Sequence, residues 1–141
     1  MSDTEGIGED TPTISFLIHE PMEEFAAIVR GLPAAAWRSL ERVGYSQSEI
    51  SGVVGNTPKK IRRKEKRQEL LDLTEGDRTM RLMRITVEAV DAFGDERKAL
   101  AWMRRPNPAL LGKTPLEMIV SEAGTALVRR SLGVIAYGGV A

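Results

Sequence analysis

The chain of 141 residues carries 20 lysines and arginines against 20 aspartates and glutamates, with one histidine and no cysteine. Balanced charge argues against a uniformly basic coat for nucleic acid. The lack of cysteine excludes disulfides and, together with the single histidine, argues against a dedicated zinc site and a Cys/His nucleophile pair. No apolar run approaches the roughly 20 residues of a membrane helix, and the first residues are acidic, so we expect a cytoplasmic protein that is not bound to a membrane.

Residues 1–19 are predicted to be an acidic leader. The first 13 residues contain four acidic side chains and, after the initiator, a single apolar one, Ile7, which is too little to offset the entropy of ordering. Residues 14–19 are short and apolar, and the sequence leaves open whether they form a brief strand or dock on the body. His19 is interpreted as a surface or packing residue. Beyond the leader, scarce aromatics and abundant Ala, Leu, Val, Ile and Met predict an all-α fold.

Residues 20–75 are predicted to be a helix-turn-helix DNA-binding region. It opens with two helices, Pro21 to Arg30 and Ala34 to Val43, and in the first of them Phe25, Ile28 and Val29 are predicted to share one apolar face.

A pair of short, well-capped helices follows. Ser46-Gln47-Ser48-Glu49 is a capping box, Gly55-Asn56 ends the helix that it starts, and Thr57-Pro58 starts the next as cap and first-turn proline. Two short helices joined by so tight a turn indicate a helix-turn-helix.

The second of these helices has seven positive charges between residues 59 and 67, and its one apolar side chain is Ile61. Such a run destabilises a free helix, because cations oppose the macrodipole at the helix start and repel one another. A DNA backbone would reverse both effects, although a solvated surface is the simpler interpretation of any basic run. The predicted DNA-binding residues are Thr57, Lys59, Lys60, Arg62, Arg63, Lys64, Lys66 and Arg67.

Residues 69–94 are predicted to contain a break at Glu75-Gly76 and then a long amphipathic helix from Asp77 onward. Arg78, Arg81 and Arg84 recur every third residue and are assigned to a solvated face, although they could also extend the basic surface of the preceding helix. The broad apolar stripe is suited to packing, and it could also serve a contact between two copies, so we expect a homodimer.

The last third of the chain is predicted to form short helices that are joined by a turn rich in proline, asparagine and glycine. Asp95 is expected to cap a helix that ends before Pro106, and Thr114 to Glu117 form a capping box that starts the next helix. That helix is predicted to run to Ala123, with an interruption at Gly124 and a second piece up to Leu132.

A resemblance to a known family rests on the following residues of this last third: Trp102, Pro106-Asn107-Pro108, Leu111-Gly112, Thr114-Pro115-Leu116-Glu117, Gly124, Val128, Leu132 and Tyr137-Gly138. In this order they are similar to the C-terminal toxin-binding domain of the MbcA/ParS/Xre antitoxin family, the antitoxins of RES/Xre toxin-antitoxin pairs. Lys113 departs from the pattern, since a second glycine is expected in the turn. The helix-turn-helix region resembles the Xre-type N-terminal half of the same family.

The resemblance implies an antitoxin and not an enzyme. Residues 77–141 would form the toxin-binding domain, and the apolar, glycine-rich tail would act as a plug in the NAD-binding cleft of a RES-domain toxin that degrades NAD or transfers ADP-ribose. The chain itself would need no cofactor. Its partners would be the toxin and operator DNA. The residues expected to contact the toxin are Trp102, Arg105, Asn107, Leu111, Lys113, Thr114, Tyr137, Gly138, Gly139, Val140 and Ala141.

Other interpretations remain open on the sequence alone. The tail could pack loosely on its own core, and the chain could be a stand-alone transcription regulator whose C-terminal domain dimerises or senses a ligand. A small enzyme is the weakest alternative, because the sequence has no dinucleotide fingerprint and no P-loop.

Overall fold

The computed structural model describes residues 20–138, and every regular element in that range is helical apart from two isolated β-bridges. This confirms the predicted all-α fold class for the described residues. The predicted leader and the last three residues of the predicted plug, Gly139, Val140 and Ala141, lie outside them. In chain order the α-helices are α1 Pro21–Arg30, α2 Ala36–Val43, α3 Gln47–Val54, α4 Pro58–Lys66, α5 Leu73–Phe93, α6 Glu96–Met103, α7 Pro115–Met118 and α8 Glu122–Ala136, and a short 3₁₀ helix, Pro108–Leu110, precedes α7.

Local caps define most of the helix ends. Ser46 with Glu49, and Thr114 with Glu117, form reciprocal capping boxes at the starts of α3 and α7, as predicted. Asp95 caps α6 through the Lys98 amide. The sequence therefore fixes the start of these helices without help from distant contacts.

The long helix α5 is the element on which the others pack. It contacts α1, α2 and α3, which we group with α4 as the N-terminal half, and also α6 and α8, which with α7 form the C-terminal half. The predicted break at Glu75-Gly76 is wrong. Asp72 and Glu75 form a third capping box, so the helix begins at Leu73 and runs through Gly76 without interruption.

The packing face of α1 also differs from the prediction. Ala27 is buried and Ile28 is half-buried, whereas Phe25 and Val29 lie exposed. Glu24, Ala27 and Ile28 are spaced three and four residues apart, so they share the side that meets α5. The prediction grouped the largest apolar residues, but α1 docks through a small one.

Two arginines that were assigned to a solvated face are held by other helices. Arg81 pairs with Asp77 at 2.9 Å and donates to the Ile119 carbonyl at 3.0 Å, and Arg84 pairs with Glu24. Arg78 is half-buried as well. The prediction of a solvated face is therefore wrong, because α1 and the segment after α7 cover this side of α5.

Two buried hydrogen bonds tie the N-terminal half to α5. The Trp37 indole N–H donates to Thr79 Oγ1 at 2.9 Å, and the Tyr45 hydroxyl lies 2.8 Å from Thr86 Oγ1. Thr86 already donates its one hydroxyl proton to the Leu82 carbonyl, so Tyr45 is the donor to Thr86. Burial raises the pKa of Tyr45 to about 12, which keeps this donor protonated.

The C-terminal helix is interrupted earlier than predicted. Helix α7 has only four residues, Ser121 caps α8 through the Gly124 amide, and α8 then continues for 15 residues to Ala136. Gly124 lies inside the first turn of α8, not at a break. A Cβ there would lie 1.9 Å from the Met118 carbonyl oxygen, so glycine permits α8 to approach the end of α7.

Buried side chains of both halves form one hydrophobic cluster. No helix among residues 20–138 has the length and apolar character that a membrane crossing requires.

Candidate functional site

Helix α4 presents most of the predicted DNA-binding residues to solvent. Thr57 caps it by accepting from the Lys60 amide at 3.2 Å, and Ile61 is fully buried beneath it. Six of the seven cationic side chains lie exposed: Lys59, Lys60, Arg62, Arg63, Lys66 and Arg67.

Lys64 is the exception, because it makes an internal ion pair. Its Nζ lies 2.7 Å from Glu75 Oε1, and only 18% of the Lys64 side chain and 8% of the Glu75 side chain are exposed. Glu75 also accepts from Asn56 Nδ2 at 2.7 Å and from the Asp72 amide at 3.0 Å. One carboxylate therefore joins the turn before α4, α4 itself and the start of α5.

Helix α4 contains one acidic residue, Glu65, which lies toward α2. Burial raises its pKa, the nearby carboxylate of Glu41 raises the pKa further, and Arg38 opposes both effects. Two of the exposed cations have neighbours, since Arg62 donates to Gln47 at 3.0 Å and Arg67 lies 3.9 Å from Glu69. Within residues 20–138, the cations of α4 without an ion pair or side-chain hydrogen bond are Lys59, Lys60, Arg63 and Lys66.

Arg104, at the end of α6, connects the C-terminal half to α3. Its Nε and Nη2 donate to the two carboxylate oxygens of Glu49 at 2.8 and 3.1 Å, Nη2 also donates to the Gly44 carbonyl, and the guanidinium carbon lies 5.8 Å from the centre of the Tyr45 ring. Burial alone raises the pKa of Glu49, but hydrogen bonds from Arg104 and the Ser46 amide, with the charge of Arg104, lower it below its ordinary value. Sequence reasoning missed this contact, which no local pattern marks.

Asn107 organises the turn after α6. Its amide donates to the Lys113 carbonyl at 3.0 Å, its carbonyl accepts from the Gly112 amide at 3.0 Å, and its side-chain oxygen accepts from the Ala109 amide at 2.9 Å. The left-handed residues of the turn are Leu111 and Gly112, with φ of 60° and 78°. A second glycine is not needed at Lys113, because the strained backbone lies just before it.

The residues expected to contact a toxin divide into buried and exposed sets. Trp102 and Asn107 are buried, and the Thr114 side chain is half-buried and serves as a cap. Arg105 and Lys113 are exposed, and two apolar side chains stand far into solvent, Leu111 at 85% and Tyr137 at 94% exposure. The contact assignment itself stays a prediction.

Tyr137 and Gly138, the described residues after α8, are exposed. Helix α8 ends at Ala136, the Tyr137 amide donates back to the Gly133 carbonyl at 3.2 Å, and Gly138 has a left-handed φ of 86°. Among residues 20–138, no group of three or more histidine, aspartate or glutamate side chains is placed to hold a metal ion.

Comparison with known proteins finds a family match for the C-terminal part of the chain. Residues 88–138 match the family described as the antitoxin Xre/MbcA/ParS C-terminal toxin-binding domain. This region of the chain is therefore similar to the toxin-binding domain of the Xre/MbcA/ParS antitoxins. The Xre/MbcA/ParS match includes the end of α5, the Asn107 turn and all of α8.

Two curated relatives, both called antitoxin Xre, extend the comparison. The protein from Pseudomonas putida is 36% identical over 72 residues, which is 51% of this chain and 45% of the relative. The protein from Photorhabdus laumondii is 40% identical over 65 residues, or 45% of this chain and 44% of the relative. The chain thus spans slightly less than half the length of these Xre relatives.

Proposed function

We propose that this chain is an antitoxin that binds a RES-domain, NAD-consuming toxin and covers its active-site cleft with the C-terminal segment. The carrying observation is the match of residues 88–138 to a toxin-binding domain, together with similarity to two antitoxins. NAD chemistry, whether degradation or ADP-ribose transfer, belongs to the toxin in this proposal. The antitoxin acts in the cytoplasm by occlusion and needs no cofactor of its own.

The exposed apolar side chains of the C-terminal half support occlusion. Leu111 on the Asn107 turn and Tyr137 after α8 each leave most of their surface in water. Burying apolar surface against a partner is favourable by about 25 cal/mol per Å², so both residues would gain from an interface. Tyrosine is also enriched among residues that dominate binding energy at interfaces.

The N-terminal half is proposed to bind operator DNA and so to repress its own operon. Support comes from the exposed cations of α4, which lie on a capped helix that follows a tight turn from α3. Helix-turn-helix proteins commonly bind two half-sites as dimers. A homodimer is therefore part of this proposal, and the exposed face formed by Met22, Phe25 and Val29 on α1 suits such a contact.

The second candidate is a stand-alone regulator whose C-terminal domain dimerises or senses a ligand. The exposed apolar residues of α1 favour it as much as they favour an antitoxin dimer, because a regulator also needs two copies. The two functions differ in whether a toxin partner exists.

Co-expression with the product of the adjacent gene separates the two candidates. An antitoxin should restore growth to cells that express the neighbouring protein, preserve their NAD, and copurify with that protein. A variant that lacks residues 137–141 should remain folded, since Tyr137 makes no core contact, and should fail to protect. Leu73→Ser is the matched control, because it removes an exposed apolar side chain outside the matched region and should protect fully.

Full protection by the truncated chain would show that occlusion uses another surface. If the neighbouring protein is harmless and does not bind, the antitoxin proposal fails and the regulator remains.

A further inference from the structure

A small pocket lies between the end of α5 and the turn after α6. It has a volume of about 370 Å³ and is lined by Phe93, Trp102, Arg105, Pro106, Asn107 and Pro108. Two aromatic rings and two prolines form its apolar walls, with the Phe93 and Trp102 ring centres 5.8 Å apart and the rings tilted by 51°. All six lining residues fall in the region that matches the toxin-binding domain.

The indole N–H of Trp102 is a buried donor without an acceptor in the described part of the chain. Trp102 is 4% exposed, and its Nε1 has no hydrogen-bond partner among residues 20–138. Trp37 behaves as a buried tryptophan usually does, since its Nε1 donates to Thr79. Buried polar atoms in native proteins are nearly always satisfied, so an unpaired donor on a pocket wall calls for an explanation.

The other polar groups of the pocket are also donors. Asn107 uses its side-chain oxygen to accept from the Ala109 amide, which leaves Nδ2 to donate. Among residues 20–138, neither Asn107 Nδ2 nor the exposed Arg105 guanidinium has a hydrogen bond or ion pair to a side chain, and no acidic residue lines the pocket. Three side chains that carry donors, one of them charged, therefore line the pocket with no carboxylate among them.

We propose that this pocket receives a carboxylate side chain of the partner protein, with the Trp102 indole and Asn107 amide donating to it and Arg105 pairing with its charge. The inference rests on the proposed toxin-binding function and specifies one contact within it. A carboxylate accepts several hydrogen bonds at once and matches the planar guanidinium. The free protein leaves almost no surface on Trp102 Nε1, so binding requires the side chains around the indole to shift.

The free protein provides a test that needs no toxin. Its two tryptophans give two indole N–H signals in a ¹⁵N-correlated NMR spectrum, which Trp102→Phe assigns. Titration with sodium acetate at constant ionic strength should move the Trp102 signal downfield to saturation and leave the Trp37 signal in place. Arg105→Gln should abolish the movement, and acetamide should not cause it. A Trp102 signal that stays still, or moves equally with acetamide, would overturn the carboxylate assignment.

Binding to the adjacent gene product tests the same contact in the complex. Trp102→Phe keeps the ring and removes the N–H, and Arg105→Gln changes an exposed residue. Each should weaken binding by about 10-fold, as expected for one charge-assisted hydrogen bond. Arg97→Gln, on exposed α6 surface, should bind like the wild type.

The acetate titration and the binding assay together distinguish a failure of the pocket assignment from a failure of the antitoxin proposal. Wild-type affinity of both pocket variants, with thermal midpoints unchanged, would contradict the pocket assignment but not the antitoxin proposal. If no complex forms at all, the antitoxin proposal fails, and the acetate titration still decides whether the pocket takes a carboxylate.

Discussion

Arg104 holds Glu49 through two nearly parallel hydrogen bonds, although 55 residues separate them in the chain. Glu49 belongs to the capping box of α3, and Arg104 ends α6, so these hydrogen bonds join the helix before the basic α4 to the region that matches a toxin-binding domain. The two halves cannot separate at this point without breaking a bidentate ion pair.

The Glu49 carboxylate should make stability depend on pH. Its pKa in the folded protein is lowered, so its contribution to stability is fully present above the unfolded pKa of about 4.3 and is lost as the pH falls through the folded pKa. Glu49→Gln should cost about 0.5–1 kcal/mol at pH 7, because the pair is partly exposed, and the cost should shrink as the pH falls below about 4.3.

Urea unfolding of the wild type and Glu49→Gln at several pH values measures this difference. Asp91→Asn, on an exposed position of α5, is the control and should give no such trend. A gap between wild type and Glu49→Gln that stays constant from pH 7 to pH 3 would contradict the role assigned to Arg104.

Gly124 should tolerate no side chain. Gly124→Ala places a Cβ against the Met118 carbonyl, and the overpacking should lower the free energy of unfolding by about 2–3 kcal/mol. Gly133→Ala is the matched control in the same helix, because nothing lies within 4 Å of its Cβ position, and it should be stabilising by about 0.5–1 kcal/mol. Thermal or urea unfolding distinguishes them, and equal effects at the two glycines would refute the close approach of α7 and α8.

Lys64 and Glu75 should show a large coupling energy. Removing either partner leaves the other charge poorly solvated, so Glu75→Ala should cost about 2–3 kcal/mol, and Lys64→Met with Glu75→Ala should recover part of it. A double-mutant cycle on urea unfolding measures the coupling. The exposed Arg67 and Glu69 pair, 3.9 Å apart, provides the comparison and should couple by less than about 0.5 kcal/mol. Additive effects of Lys64 and Glu75 would rule out a structural role for their bond.

Lys60 and Arg63 should contribute to the salt dependence of DNA binding. Replacing either residue with alanine removes a cation from the DNA backbone and should lower the slope of log K against log salt by roughly 0.9, measured by fluorescence polarisation on a duplex from the promoter. Arg130→Ala, on the exposed side of α8, should leave the slope unchanged. Wild-type slopes for both Lys60→Ala and Arg63→Ala would argue that α4 is only a solvated surface.

Features that depend on neighbouring residues, such as the starts of capped helices, were predicted well from the sequence. The starts of α3, α4 and α7 follow from Ser46, Thr57 and Thr114, whose side chains bond amides three residues ahead. The predicted break at Glu75-Gly76, which lies inside α5, was wrong because the prediction gave weight to the glycine. The cap formed by Asp72 and Glu75 decides the helix start instead. Gly124 was misread for a similar reason. It is required by a carbonyl of the preceding helix, and spacing in the sequence does not reveal such an approach.

The candidate surfaces were harder to predict because their chemistry depends on distant partners. Lys64 looks like its neighbours in the sequence, and only Glu75 on α5 removes it from the exposed cationic set. The Arg104 contact with Glu49 and the unpaired indole of Trp102 depend equally on how the helices pack. The family pattern marked Trp102 as important, but it did not show that its N–H lacks an acceptor.

The two threonines of α5 that accept bonds from Trp37 and Tyr45 are seven residues apart, which is about two helical turns or 10.5 Å along the axis. If α5 moved along its axis by one turn, the Trp37 indole and the Tyr45 hydroxyl would both lose their threonine partners. Sliding of α5 along its axis would therefore break both buried hydrogen bonds, so the proposed DNA-binding and toxin-binding regions are expected to keep a fixed register along this helix.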